Sequence, residues 1–367
     1  MKIIATHLLN DFSGSPKVLK QLLQGWVKND LTVELHTCGG KDGFLSDLAG
    51  VSYYHFNYKW AANPFIRLVN LLISQFVLCF NILKTSSRQD IIYINTVLPF
   101  GAALAGKIKG NRIIYHIHET SVKPAILKSF LFGMVKWCAT DVIYVSRYLA
   151  KQEPIAQANT HILYNAIEDD FLAKANNYAK KSDGLKNILM VCSLKEYKGV
   201  NEFIKLASIL PDHKFKLVLN ASNEDIANYF QLNSITKNVE LFATQSDVHP
   251  FYQWADLVLN LSRTDEWVET FGLTIIEGMA YGNPAIVPPV GGVTEVVANG
   301  KNGFHIASNS LDEIAYKISV WSESTSLFKT FREEAKNTVS KFNEQAFVTK
   351  SIEILTTKNN NNNGKLG

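Results

Sequence analysis

The sequence predicts an α/β protein built from two doubly wound parallel sheets in tandem, and three observations carry that prediction. Its 367 residues exceed the usual size of one domain. Short runs rich in Val, Ile and Tyr alternate with helix-length segments from end to end, the pattern of parallel strands joined by crossover helices. That alternation breaks once, in a polar stretch after Asn165, and restarts at Asn187. With 47% hydrophobic and 19% charged residues, the chain has an ordinary globular composition, and each half is long enough to bury its own core.

Taken in order, strands are expected in the first half near 2–9, 32–38, 51–57, 91–96, 112–118, 141–145 and 161–166, with helices between most of them, notably 16–28, 65–84 and 124–138. The segment EDDFLAKANNYAKKSDGLK then loses the strand pattern and reads as a linker. Strands resume at 187–192, 216–220, 239–243, 256–261 and 285–288. Ligands of such sheets bind beyond the carboxyl ends of the strands, so the cleft between the two sheets is the expected active site. The end from Lys358, KNNNNNGKLG, is low-complexity and reads as disordered.

Charge divides unevenly. Residues 1–150 carry 16 Lys/Arg against 8 Asp/Glu, and 151–367 carry 21 against 25, so the halves differ as +8 and −4. A basic first half suits an anionic partner, either a phosphorylated lipid or a membrane surface. Its basic residues are scattered and form no nucleic-acid-binding motif, which argues against nucleic acid. Cys38, Cys79, Cys138 and Cys192 are far apart and form no CxxC pair, so they read as buried thiols of a cytoplasmic protein. The opening MKIIATHLLNDF lacks the apolar core and cleavage site of a signal peptide and reads as a strand.

Two apolar segments bear on membranes. Phe65 to Leu83 is about as long as a spanning helix, but Arg67, Asn70, Ser74, Gln75 and Asn81 make it a buried or interface-lying one. Lys123 to Trp137 mixes lysines with large apolar residues; it fits a helix lying on an anionic leaflet and equally an amphipathic helix covering a sheet.

The sharpest chemical signal is NLSRTDEWVETFGLTIIEGMAYGNPAIVPPVGGVTEVV, starting at Asn260. A strand ends at Leu261, a loop follows, and a helix is expected to begin around Gly272 and stop before Gly282, which precedes Pro284. The leading N–H groups of Phe271, Gly272 and Leu273 then form an anion site suited to a diphosphate. Glu269 and Glu277 lie eight residues apart, about 80° round a continuous helix, so they meet different parts of one ligand. Glu277 sits amid Ile275, Ile276, Met279 and Ala280, and a carboxylate in such surroundings needs a partner.

This segment resembles the retaining glycosyltransferases of family GT4, which have the GT-B fold: an acidic residue, Phe-Gly, a second acidic residue after seven positions, Met-Ala-Gly-Pro spacing and a Gly-Gly loop. The resemblance implies that Glu269 binds hydroxyls of the donor sugar and Glu277 the ribose, with Gly291 and Gly292 letting backbone approach the ligand. Other motifs extend it. NDFSGSPKVLKQL resembles the family's first loop and places Gly14 at the diphosphate. HIHET places His118 at the cleft, with Glu119 in the acidic position, and SRYL and YNAIEDDF resemble the last elements of the first domain. MVCSLKEYKGVNEFI resembles the Gly-Arg-Leu-x-x-x-Lys-Gly element, putting Lys198 on the lysine that neutralises the diphosphate. Cys192 and Ser193 stand where the family has Gly and Arg, so one cation is missing; Lys195 and Arg263 are the candidate replacements. FNEQAFVTKSIEIL resembles the closing helix that crosses back to the first domain.

The expected organisation is therefore a Rossmann-like acceptor-binding domain at 1–168, a linker at 169–186, a nucleotide-sugar-binding domain at 187–340, a returning helix at 341–357 and a tail at 358–367. The implied reaction is transfer of a sugar from a UDP- or GDP-sugar, a substrate rather than a cofactor, to a hydroxyl with retained configuration. Glu269, Lys198 and His118 are the expected catalytic residues. No DxD-type aspartate pair or histidine cluster suggests a metal. Asp265 and Glu266 beside Trp267 are placed to line the sugar pocket, but read first as a solvated loop. A glycan or polyprenyl-diphosphate-linked acceptor at the inner membrane face, as in bacterial surface polysaccharide assembly, fits the basic first half. The alternatives are a nucleotide-sugar 2-epimerase of the same fold and a non-catalytic sugar-nucleotide-binding protein.

Overall fold

The computed structural model describes residues 1–40, 42–178, 184–230 and 235–357, and the chain divides into two compact units. The first comprises Met1–Tyr144, Pro154–Leu163 and Glu344–Gly367; the second comprises Val145–Glu153 and Tyr164–Asn343. The expected tail from Lys358 and residues 179–183 of the expected linker lie outside the described residues.

The first unit holds a seven-stranded sheet of β1 (Lys2–Thr6), β2 (Thr32–Cys38), β3 (Val51–Phe56), β4 (Ile91–Asn95), β5 (Arg112–Ile117), β6 (Asp141–Tyr144) and β7 (Asn159–Ile162). All neighbours are parallel, in the order β3-β2-β1-β4-β5-β6-β7, with Ile3 opposite Val33 and Ile91. Strands buried on both faces become continuous β-branched runs, as in the fully buried IIYIN of β4. The order reverses between β1 and β4, the switch point where such sheets bind ligands. Right-handed crossovers put α1 (Gly14–Lys28) on one face and α2 (Pro64–Thr85), α3 (Phe100–Lys109) and α4 (Ala125–Cys138) on the other.

The closing helix, Glu344–Thr356, lies beside α1 in this unit. Trp26 Nε1 donates to Ser351 Oγ at 2.9 Å, and Gly25 leaves so little room that a Cβ there would stand 2.5 Å from Val348. Arg112 donates to the terminal carbonyls of Ile354 and Leu355 at 2.7 and 2.8 Å while its Nε holds Asp141 at 2.9 Å, so one cation both caps the helix and ties it to the sheet.

Helix α2 is long and apolar enough to cross a membrane by length and composition. One side of it, however, is locked onto α3. Gln75 Oε1 accepts from the Gly101 N–H at 2.9 Å, and a Cβ on Gly101 would meet the Gln75 carbonyl oxygen at 2.1 Å. Its start is set by Asn63, whose side-chain oxygen accepts from Phe65 N at 2.9 Å, with Pro64 in the first turn.

The second unit holds β8 (Asn187–Ser193), β9 (Lys214–Asn220), β10 (Val239–Phe242), β11 (Leu257–Leu259), β12 (Ala285–Val287) and β13 (Gly303–His305), all parallel in the order β10-β9-β8-β11-β12-β13. Its switch point lies between β8 and β11. Its helices are α5 (Arg147–Gln152), α6 (Asp169–Asn176), α7 (Val200–Ile209), α8 (Asn223–Phe230), α9 (His249–Trp254), α10 (Leu273–Ala280), α11 (Leu311–Glu323) and α12 (Thr325–Thr338). Aromatic rings fill the core, with Phe203 edge-on to Phe215 at 5.3 Å and Trp321 within 6.0 Å of Phe304, Phe328 and Phe331.

Three features depart from the sequence expectation. Residues 169–176, expected as linker, form α6, because Phe171 and Ala175 share one face and bury it; the Phe171 ring lies 4.2 Å from His249. The first-domain boundary expected at 168 gives way to a chain that enters the second unit already at Val145–Glu153, where α5 is capped by Glu295. Strand β13 was not expected: it is three residues long, and its Gly303 admits the Ala285 carbonyl so closely that a Cβ would stand 2.0 Å from that oxygen.

Candidate functional site

At the carboxyl ends of β8 and β11, where the second sheet reverses its order, the chain brings Ser193, Lys198, Asn260 and Glu269 together. β8 ends at Ser193, and a turn of 3-10 helix at Glu196–Lys198 closes on Gly199. Gly199 has φ +78°, and a Cβ there would stand 2.0 Å from the Leu261 carbonyl oxygen, so the lysine is followed by the one residue type that lets the turn press against the β11 loop. Lys198 Nζ then reaches Glu269 Oε2 at 3.0 Å, under the ring of Trp267 at 5.2 Å; Trp267 in turn stacks on Tyr197 at 5.1 Å.

Glu269 also accepts from Asn260 Nδ2 at 3.3 Å and from the Phe271 N–H. Burial, the largest influence, opposes its ionisation. The Lys198 ammonium, Asn260 and the Phe271 N–H outweigh burial and hold the carboxyl below its usual range. The pair is thus a charged acceptor beside a cation. Cys192 is pushed up to about 12 by burial, with Lys198 opposing, and stays a neutral thiol at the cation's side.

Helix α10 begins at Leu273 with Gly272 as its N-cap at φ +100°, and ends before Gly282 at φ +72°. The Phe271 N–H, expected to face the anion, is instead held by the Glu269 carboxylate, and the Phe271 ring is buried against Phe342 at 5.5 Å. The N–H groups of Leu273 and Thr274 precede the first intrahelical bonds, from Ile275 and Ile276 to the Gly272 carbonyl, so the helix keeps an open positive end. Glu277 is buried on this helix beside Ile275, Ile276, Met279 and Ala280, and accepts from Tyr252 OH at 2.8 Å. That is the partner a carboxylate in such surroundings requires.

Arg263 does not supply the missing cation. Its guanidinium is taken by Glu202 at 2.8 and 2.9 Å, Glu196 at 3.1 Å and Glu266 at 3.2 Å, and the Glu202 hydrogen bond leads the interactions that raise its pKa despite burial. Lys195 is solvent-exposed at the start of the Glu196–Lys198 turn and remains the second basic residue of the loop. Gly291 and Gly292, expected to approach a ligand, approach the chain itself. The Gly292 N–H donates to the Glu269 carbonyl at 2.9 Å, and Cβ atoms at the two positions would stand 2.4 Å from the Glu269 oxygen and 1.8 Å from the Thr270 oxygen.

Glu295 escaped the sequence reading. It accepts from Arg147 N at 3.1 Å, Tyr148 N at 2.7 Å and Tyr164 OH at 2.6 Å, capping α5 and fixing Tyr164, which lies 6.2 Å from the Phe271 ring. Its partners lie about 130 to 150 positions away in the chain, and no local pattern announces them.

In the first unit, the ends of β1, β4 and β5 gather His7, Asn95, His116, His118 and Glu119. His118 Nε2 donates to Asn95 Oδ1 at 2.8 Å, Asn95 Nδ2 donates to the Ser15 carbonyl at 3.0 Å, and Tyr93 OH donates to His116 Nδ1 at 2.8 Å. Burial lowers His7 to about 4 and His116 to about 3, and lowers His118 as well, helped by its two histidine neighbours, so all three rings are neutral at pH 7. Burial pushes Glu119 up to about 7 against the Val97 and His118 N–H groups that bind it. Gly14, the other first-unit candidate, is exposed at the start of α1. There Asp11 already accepts from Ser13 N at 2.9 Å, putting a carboxylate beside the expected anion site.

These groups give a pH dependence of opposing signs. The unfolded chain protonates its histidines below about 6.5 and the folded chain does not until about 4 or lower, so their contribution is complete at neutral pH and is lost as pH falls through that window. Glu119 keeps its proton in the folded chain up to about 7 and loses it near 4.5 when unfolded, so its contribution is lost as pH rises between those values. Glu119→Gln is therefore expected to steepen the loss of stability on acidification from pH 7 to 5 by about 1–3 kcal/mol, at about 1.4 kcal/mol per pH unit. Urea titrations at both pH values check it, and parallel wild-type and variant slopes would refute it.

Among the described residues no three His, Cys, Asp or Glu side chains gather as a metal site.

Comparison with known proteins bears on both units. Residues 174–338 match the family model described as glycosyl transferases group 1. An uncharacterized glycosyltransferase of Methanocaldococcus jannaschii, MJ1178, is 27% identical over 286 residues, 75% of this chain and 77% of that protein. The lipopolysaccharide 1,2-N-acetylglucosaminetransferase of Salmonella typhimurium is 22% identical, covering 72% of each. Among solved structures, Anabaena Alr3699/HepE in complex with UDP and glucose superposes with a TM-score of 0.78 over 98% of this chain and 100% of that one, at 20% identity. The two parallel-sheet α/β units thus have the GT-B fold of that solved structure, and the second unit is similar to the glycosyl transferases group 1 family.

Proposed function

We propose that the protein transfers a sugar from a UDP- or GDP-sugar to a hydroxyl of a glycan or lipid-linked acceptor, with retained configuration and no metal, on the cytoplasmic side of the membrane in surface-polysaccharide synthesis. The observation that carries this reading is the Lys198–Glu269 pair at the second sheet's switch point, beside the open end of α10. Glu269, ionised and oriented by Asn260, is an acceptor for sugar hydroxyls. An arriving diphosphate gives Lys198 a second anionic partner, and the leading N–H groups of α10 a charge to stabilise. Buried Glu277, steadied by Tyr252, is the acceptor for the ribose diol. HepE, whose complex holds UDP and glucose, supports a nucleotide-sugar donor, and the Salmonella relative, a lipopolysaccharide glycosyltransferase by name, supports a surface-glycan acceptor. His118 and Gly14 are assigned to the acceptor-binding unit, where neutral His118 offers hydrogen bonds rather than charge.

Retention follows if the departing diphosphate stays on the face that the acceptor enters and takes the acceptor hydroxyl's proton. The C–O bond to the diphosphate breaks, the C–O bond to the acceptor forms, and rate comes from positioning and from charge stabilisation by Lys198 and α10. Radiolabelled UDP- and GDP-sugars incubated with the protein alone, with and without a chelator, test it. Slow hydrolysis of one donor, unaffected by chelation, is expected, and the glycoside formed when an acceptor alcohol is added should keep the donor's anomeric configuration by NMR. A rearranged sugar would point to 2-epimerisation, and binding without turnover to a sensor.

A further inference from the structure

We propose that the α2–α4 face of the first unit docks onto an anionic lipid bilayer, lying in the boundary between headgroups and acyl chains without crossing it. This deepens the lipid-acceptor part of the reading above and rests on it for its purpose.

Only six of the 22 residues of α2 are buried: Leu71, Ser74, Gln75, Leu78, Cys79 and Ile82, the side turned to α3. The opposite side is also apolar. Phe65, Ile73, Phe76 and Phe80 are 73%, 58%, 78% and 52% exposed, at spacings that keep them on one stripe of the helix. A soluble helix carries polar residues there, and a contiguous apolar patch of this kind marks an interaction surface. Helix α4, beyond α3 on the same face of the sheet, adds Ile126 at 84% and Trp137 at 56% exposed.

The charge around this surface selects its occupant. Residues 51–140 contain ten Lys/Arg and two acids. Both acids are withdrawn: Asp90 is buried against Lys2 at 3.3 Å, and the Glu119 carboxylate is turned onto the Val97 and His118 N–H groups. The exposed charge beside the apolar stripe is positive, and the cations sit at aromatic rings: Arg67 over Trp60 at 5.6 Å, Lys84 over Phe80 at 4.3 Å, Lys107 over Trp137 at 5.9 Å. Apolar side chains bordered by Trp and Lys/Arg suit the lipid interface, where the rings enter the boundary and the cations reach phosphate. A second copy of the chain would oppose like charge to like, and crossing the bilayer would require tearing Gln75 from Gly101.

The test is co-sedimentation of the full chain with vesicles of phosphatidylethanolamine and phosphatidylglycerol, against phosphatidylcholine alone. Binding to the anionic vesicles is expected to exceed binding to neutral ones at least tenfold, and to fall at least tenfold in the double variant Ile73→Asp, Phe76→Asp. An Arg67→Gln, Lys84→Gln, Lys107→Gln variant should lose the preference for anionic lipid. Donor hydrolysis in solution should be unchanged in both variants, which separates this proposal from the enzymatic one: vesicle binding without donor turnover leaves the surface standing and removes the transferase reading. Absence of vesicle binding, binding that the Asp variant retains, or a lipid-free dimer in ultracentrifugation that the Asp variant dissociates would each overturn the proposal.

Discussion

Lys198→Ala is expected to lower donor turnover about a hundred- to a thousandfold, the usual cost of removing one charged group from a site where negative charge develops on a leaving group. The loss should fall mainly on kcat, because the diphosphate gains charge as the sugar departs. A second signature distinguishes this from general damage. Lys198 leads the interactions that overcome the burial of Glu269, so without the lysine the carboxyl titrates at a higher pH than in the wild type. Residual activity in the variant should decline as pH falls through that raised value, while the wild type stays flat over the same range. Lys198→Arg keeps the charge and should recover part of both. Turnover within threefold of wild type in a folded Lys198→Ala protein would remove Lys198 from the mechanism.

Gly292→Ala is the second large effect, and it acts through the backbone. A Cβ at this position would lie 1.8 Å from the Thr270 oxygen and 2.6 Å from Ser146 Oγ, and the Gly292 N–H already donates to the Glu269 carbonyl. The methyl group has no free space, so the segment that carries Glu269 must shift. The expected cost is about 3 kcal/mol, at the upper end of typical overpacking, or roughly 6–12 °C in the melting temperature of a unit this size. Because the displaced backbone carries Glu269, donor affinity should fall with stability. Gly133→Ala, at an exposed position inside α4 with nothing within 4 Å, is the control: it should leave donor affinity unchanged and raise stability by up to about 1 kcal/mol. An unchanged melting temperature in Gly292→Ala would show that the loop adjusts without displacing Glu269.

Much of this was legible in the sequence because it depends on local pattern. Short apolar runs rich in β-branched residues, such as IIYIN, read as strands covered on both faces, and alternating them with helices yields parallel sheets. Glu277 could be recognised as a carboxylate needing a partner from its neighbours alone, although Tyr252 as that partner lies 25 positions away. What escaped was non-local or too short. Arg263 reads as a free cation until the fold brings Glu196 and Glu202 to it from the turn and helix after β8. The Gly291–Gly292 pair reads as a ligand loop until the backbone of 269–270 is seen against it. Helix α6 was hidden by polar composition, since only Phe171 and Ala175 mark its buried side, and β13 is three residues in a glycine-rich turn. The neutral histidine cluster was half legible: HIHET announced His118, but His7 and Asn95 come from strands that only the sheet order brings beside it.

The most direct test of the account is calorimetric titration of UDP into the wild-type protein and into Glu277→Ala, each first shown to be folded by its unfolding transition. The account predicts saturable binding of UDP or, failing that, of GDP to the wild type. It also predicts a loss of about ten- to a hundredfold in the variant, the worth of hydrogen bonds from a ribose diol to a charged acceptor. Equal affinity in the two folded proteins would contradict it, because the nucleotide would then bind without the carboxylate around which the site has been assigned.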